Sequence, residues 1–277
     1  MTKVRIIQLS HKNFYLCGLK QKRTPKMKQL SFLFTFIMTF GICHAQYDLP
    51  AVVPDRPGYA WGAEVTPERK LIWDNGIGFE SSPDGERTFT LNTTILRYGI
   101  LENVELRVGT DFLLNGNGLE SPHLGIAPLS FGTKIKMHEG SGWIPSVGLL
   151  AELKSPHIGS KDLLPSHIAP SIYALFEHVI GERFWICYNA GLEWDGETAA
   201  PTSFLSLAVG YNITESVGVF AETNNYLHSE EQSRHLTEFG VTWLVSRRVQ
   251  LDLEADLDLR HFGKCYGFGA GVSWLIN

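Results

Sequence analysis

The chain has 277 residues, 27 of them Gly, with 44% hydrophobic, 12% aromatic and 19% charged residues. A mean hydropathy of −0.04 excludes a polytopic helical membrane protein, and plentiful apolar residues with sparse charge exclude a disordered chain. Residues 1–45 carry eight Lys/Arg and no Asp/Glu, so residues 46–277 carry 16 basic and 29 acidic residues. That net of −13 offers no basic stripe to nucleic acid.

The N-terminus reads as an export signal. Met27-Lys28 begins a segment with a positive flank, and Phe32 to Cys43 is an apolar stretch too short for a transmembrane helix. Ala45 before Gln46 is a small residue at a cleavage point. Residues 1–26 are read as a mis-annotated extension and 27–45 as the signal peptide. Residues 46–69 are an N-terminal arm. Pro50, Pro54, Pro57 and Pro67 argue against a regular strand there, and the arm is a candidate to fold into whatever the rest of the chain encloses.

Residues 70–277 alternate on a period of two. Strands are expected near 70–80, 88–98, 104–113, 129–137, 144–154, 168–177, 184–194, 202–211, 217–225, 235–245, 249–259 and 265–276. The stretch from Val249 to Leu259 is the clearest. Val249, Leu251, Leu253, Ala255, Leu257 and Leu259 alternate with Gln250, Asp252, Glu254, Asp256 and Asp258, a separation that no helix makes. Twelve segments of about ten residues suit a closed antiparallel membrane barrel. Short connections such as Ser246-Arg247-Arg248 alternate with longer ones such as Asn115 to Pro128. Aromatics near strand ends (Phe79, Phe89, Tyr98, Phe112, Phe184, Tyr211, Trp243 and Trp274) suit interfacial girdles. A soluble β-sandwich would also alternate, but its outer face would not carry large apolar residues throughout. The expected fold is therefore all-β, an antiparallel up-and-down transmembrane β-barrel of about 12 strands after a signal peptide, in the outer membrane of a Gram-negative bacterium.

Several short motifs occur in order along this barrel. They are Asp55-Arg56-Pro57-Gly58, Leu96-Arg97-Tyr98-Gly99-Ile100, Val104-Glu105-Leu106-Arg107-Val108-Gly109, Phe131-Gly132-Thr133-Lys134, Tyr188-Asn189-Ala190-Gly191 and Gly271-Val272-Ser273-Trp274. Over residues 54–277 the chain resembles the outer-membrane "transporter" family, also called the "Putative MetA-pathway of phenol degradation" family. The resemblance implies an outer-membrane barrel acting in transport with no established substrate. Asn277 departs from the terminal aromatic common among barrel proteins.

The polar faces supply the candidate luminal and selectivity residues. Asp252, Glu254, Asp256 and Asp258 form an acidic row with neighbours about 6.6 Å apart, which repels itself unless cations face it. A calcium loop is excluded because Leu257 holds the position that needs Gly. Basic candidates are Arg97, Arg107, Lys134, Lys136 and Arg56 in the arm, and Glu222 is a further inward acid. These residues suggest a lumen acidic on one wall and basic on the other, with Arg56 placed by the arm against the acidic row.

Enzymatic motifs are missing from the sequence: neither G-x-S-x-G nor H-E-x-x-H occurs. His123, His157, His167, His228 and His235 fall in loops or at strand edges without metal-ligand spacing, and Cys187 and Cys265 lie too far apart in the sheet for a disulfide. We expect no catalytic residues, cofactor or metal. The reading is a channel or transporter for small solutes. Its partners would be outer-membrane lipids, a small solute and, during insertion, the barrel-assembly machinery. The alternatives are an outer-membrane lipid hydrolase and a structural or surface-interaction barrel.

Overall fold

The computed structural model describes residues 51–82, 87–115, 123–228 and 233–276. The expected extension, the signal peptide and the start of the arm lie outside the described residues.

Among the described residues thirteen strands form one sheet: β1 (Leu71–Ser81), β2 (Arg87–Leu101), β3 (Val104–Asn115), β4 (His123–Ile126), β5 (Ser130–His138), β6 (Ser146–Lys154), β7 (Ala169–Ile180), β8 (Phe184–Glu193), β9 (Thr202–Asn212), β10 (Val217–Leu227), β11 (Arg234–Ser246), β12 (Val249–Asp258) and β13 (Tyr266–Ile276). Each barrel strand pairs antiparallel with its neighbours in sequence, and β1 pairs with β13 to close the ring. Closing the ring removes the two outer edges that β1 and β13 would otherwise present, which is what lets a sheet cross lipid.

The ring has twelve staves, not thirteen. β4 pairs with the end of β3 at Phe112–Asn115, whereas β5 pairs with its start at Val104–Gly109. β4 and β5 are two halves of one stave, interrupted around Pro128. The sequence reading placed β4 inside a loop because four residues containing Gly125 show too little alternation to register. The strand expected from 144 begins instead at Ser146. Ser141 and Ile144 bridge to each other there, and Pro145 has no N–H to offer a ladder.

Side chains sort by parity as the alternation requires. On β12, Gln250, Asp252 and Glu254 are buried while Leu251 and Leu253 are exposed. The outer surface bears Ile77, Leu91, Leu106, Leu153, Leu205, Val241 and Leu253, all exposed. Large apolar side chains in a closed ring face hydrocarbon at little cost, so this belt is the membrane-spanning surface. At the short-turn end, exposed Trp73, Tyr98, Tyr211, Trp243 and Trp274 form an aromatic girdle. Register partners Trp73 and Trp274 sit side by side across the closing seam.

The interior departs from a uniformly polar lumen. Trp61 of the arm packs against Tyr173 with ring centroids 4.8 Å apart and against Phe204 at 6.0 Å. Leu150, Leu175, Tyr226, Leu236 and Cys265 complete this buried cluster, which runs from β6 to β11 and takes in Cys265 just ahead of β13. The barrel therefore has a core, and the arm supplies its central side chain.

Candidate functional site

The arm enters at the short-turn end, where Val52 N–H donates to the carbonyl of Arg247 at 2.8 Å. It rises to Trp61 and returns to the same end, where Glu68 bridges Gly99 and Arg69 N–H donates to the Gly99 carbonyl at 2.8 Å. A side chain at Gly99 would collide with the Thr66 and Pro67 carbonyls, so the missing Cβ is what admits the returning limb. Arg69 then turns into β1 with φ of 59°.

An extended segment with no sheet partner exposes N–H donors that need acceptors once buried. Inward side chains provide them. Gly58 N–H donates to Glu254 Oε2 at 3.1 Å, Tyr59 N–H to Glu222 Oε1 at 2.8 Å, and Trp61 N–H to Asn189 Oδ1 at 2.8 Å. On the returning limb, Ala63 N–H donates to Glu177 Oε2 at 3.0 Å. Thr66 donates through both N–H and hydroxyl to Glu105 Oε2, at 2.7 and 2.8 Å. The carboxylates of the lumen thus act as a receiving ladder for backbone.

Two consecutive arm residues of opposite sign make the ionic anchors. Asp55 receives Lys134 Nζ at 2.7 Å, Arg107 Nη1 at 2.8 Å and Arg97 Nη1 at 3.1 Å. Burial works against ionising Asp55. The three surrounding cations overcome that, and they hold its carboxyl well below the usual carboxylate range. Arg56 reaches the other way, with Nη2 at 3.1 Å from Asp252 Oδ1 and 3.7 Å from Glu254 Oε1. Its guanidinium lies over Gly76 and Gly271, register partners on β1 and β13, where any Cβ would strike it. Gly267 and Gly269 likewise leave room for the side chains of Asp256 and Glu254. The glycine-rich inner face of β13 is the space in which the charges lie.

The sequence candidates divide into groups. Arg56, Arg97, Arg107, Lys134, Asp252 and Glu254 join the anchor network, with Glu222 beside it. Lys136 lies at the mouth, 2.7 Å from Glu64 and paired also with Glu139. Asp258 leaves the row: it accepts from Arg260 N–H and pairs with His261 Nδ1 at 2.9 Å, capping the turn after β12. Asp256 lies opposite Gly267, above the level of Arg56.

The expected two-walled lumen is not what forms. The basic residues stand on β2, β3 and β5 between strands that carry acids: Arg97 Nε lies 2.8 Å from Asp74 Oδ2 on β1, and Arg107 Nε lies 3.4 Å from Glu152 Oε1 on β6. Because β1 closes on β13, the basic patch and the acidic row are neighbours around the ring. The charges interleave in one belt.

Sequence reasoning missed Asp55, Asp74, Glu105, Glu152, Glu177 and Arg234 as site residues. Asp74 and Glu105 were legible as inward by parity, and Asp55 stands beside Arg56 in the quoted motif. Arg234 pairs with Glu80 across the lumen, a juxtaposition no spacing along the chain encodes.

A closed antiparallel barrel with an apolar exterior and a charged interior threaded by its own arm has the architecture of a membrane channel barrel. The chain belongs to the family described as "Putative MetA-pathway of phenol degradation", which matches residues 54–276. Among solved structures, the chain is similar to the COG4313 outer membrane channel from Pseudomonas putida F1. The TM-score is 0.59 at 12% identity, over 80% of this chain and 99% of that one. It is similar also to the KdgM porin in complex with disordered oligogalacturonate, with a TM-score of 0.55, 9% identity and 74% and 99% of the two chains covered. The NanC porin gives a TM-score of 0.54 at 10% identity, over 73% and 98%. At these identities the likeness is one of fold. No curated protein sequence matches the chain.

Proposed function

We propose that this protein is an outer-membrane channel for small solutes whose lumen is narrowed by its N-terminal arm. The observation that carries the reading is the arm itself. It lies in the lumen on ion pairs and hydrogen bonds from Asp55, Arg56 and successive backbone N–H groups. Such contacts release in steps, unlike a covalent or wholly apolar seal. The family membership and the porin-like fold support the same reading, and with it an outer-membrane location, lipid contact and insertion by the barrel-assembly machinery.

The lumen favours cations. Among the described residues, ten carboxylates are buried against four Lys/Arg side chains. An acidic pore lining attracts cations and repels anions, so the polyanionic ligand of the KdgM porin is not carried over. The test is single-channel recording of refolded protein in a planar bilayer under a KCl gradient. A reversal potential on the cation side supports the proposal, and absence of conductance both with and without the arm overturns it.

A lipid hydrolase is the competing reading. The rings of His228, His235, His167, His178 and His261 bond to Thr202, Asn225, Gly196, Tyr188 and Asp258, and none of these ring partners is a serine. A lipid-hydrolysis assay on the same preparation separates the two, and turnover above a detergent blank would favour the enzyme.

A further inference from the structure

We propose that a small organic cation, an ammonium carried on an apolar body, binds in the cavity between the arm and the wall formed by β7, β8 and β10. This rests on the channel reading and names the class of solute for it. The cavity measures about 360 Å³, within the range of small-molecule sites. It runs from the arm to the β7–β8 turn at the short-turn mouth. Its lining includes Glu177 and Glu222 together with Phe184, Trp185 and Phe220.

The charge pattern distinguishes this wall from the anchor belt. Asp74, Glu105, Glu152, Asp252 and Glu254 each have an arginine within ion-pair distance. Glu177 and Glu222 belong to none of the ion pairs among the described residues: Ala63 N–H donates to Glu177, and Glu222 takes its hydrogen bonds from arm backbone N–H groups and the neutral Asn224 side chain. Glu222 is 4% exposed. A buried carboxylate with hydrogen bonds but no counter-charge is costly to hold, and a cation arriving in the adjoining space would offset that cost.

The walls fit the rest of the ligand. Aromatic faces attract a desolvated cation electrostatically and bury its hydrocarbon. Val53, Pro54 and Ala60 of the arm line the other side, where the charged Asp55, Arg56 and Glu64 are already engaged with Lys134, Asp252 and Lys136. At the mouth, Glu182 and Arg183 are both exposed and of opposite sign, so they neither demand nor forbid a charged ligand. A carboxylate ligand would meet two acids, and a neutral one would leave both uncompensated.

The experiment is isothermal titration of the full mature chain in detergent with benzylammonium, benzyl alcohol and benzoate, which share a body and differ in charge. Saturable binding of benzylammonium, at least tenfold tighter than the other two, is the expected result. Glu222→Gln and Glu177→Gln should each weaken it at least fivefold at unchanged far-UV circular dichroism. Glu177 sits at the cavity edge, so Glu177→Gln serves if Glu222→Gln does not fold. Equal binding of the three probes, no binding, or unchanged affinity in the folded variants overturns the site. Bilayer conductance on the same preparation keeps the two ideas apart. Protein that conducts without binding loses the site, whereas protein that binds without conducting keeps the site and loses the channel reading.

Discussion

Arg97 is the side chain with most to lose. It is fully buried and holds Asp74, Asp55 and Glu105, and its Nη2 donates to the Val53 carbonyl. Removing one partner from a buried ionic group strands the others, at about 3–5 kcal/mol. Arg97→Leu should therefore lower stability by that order in a urea titration, and an exposed substitution such as Arg183→Leu should change little. Asp55→Asn removes the arm's contribution to the same group while keeping its shape. Single-channel conductance should rise in Asp55→Asn and in Arg56→Ala, because each releases one anchor of the arm. Asp252→Asn should mimic Arg56→Ala in part, and Asp256→Asn less, since Asp252 is the residue Arg56 reaches. Unchanged conductance in Asp55→Asn and Arg56→Ala, with the barrel intact, would leave the arm without a gating role.

At the scale of strands, parity makes the sharpest claim. Leu253 is 62% exposed on the lipid side, between inward Asp252 and Glu254. Leu253→Arg should cost about 2–4 kcal/mol if it lies at the midplane, read from a folding titration in lipid vesicles. Parity alone made Glu254→Arg a cheap luminal control. The structure corrects that, because Glu254 accepts the Gly58 N–H and sits 3.7 Å from Arg56, so a second guanidinium there would repel the first. Gln250 on the same face is no substitute, because its amide donates to the Arg56 carbonyl at 3.0 Å. The strands themselves were readable because their period of two persists for ten residues at a time. β4 was not, because its pairing comes from the chain returning along β3 at Phe112–Asn115 and not from its own pattern. The inward apolar side chains Leu150, Leu175, Phe204 and Leu236 were equally illegible. Their place is set by Trp61, more than eighty residues distant in sequence.

For the molecule as a whole, the arm decides between a filled barrel and an open one. Deleting residues 51–66 removes Asp55, Arg56 and Trp61 together. Conductance should then increase several-fold in planar bilayers, with cation preference retained, because the buried carboxylates outnumber the cations before and after deletion. Thermal stability should fall, since the deletion also empties the apolar cluster around Trp61. The sequence announced a barrel and an arm with one reachable basic residue. The sequence reading set that residue against the row from Asp252 to Asp258; what it did not contain is ring closure, which brings β12 within reach of β1. That closure also explains why an expected separation of charge became an interleaved belt.

The seat of Arg56 has a consequence for assembly. Its guanidinium rests on Gly76 and Gly271, which face each other across the junction of the first and last strands, and it reaches on to Asp252. That seat does not exist until the two ends of the chain have met. The arm therefore latches only a finished ring, and it ties the one joint that no hairpin connects. Arg56→Ala should lower the temperature at which the compact electrophoretic form is lost. A disulfide across the same joint, from Asn75→Cys with Val272→Cys at register partners, should restore it. If the joint disulfide leaves the Arg56→Ala protein as heat-labile as before, the latch acts elsewhere than at the seam.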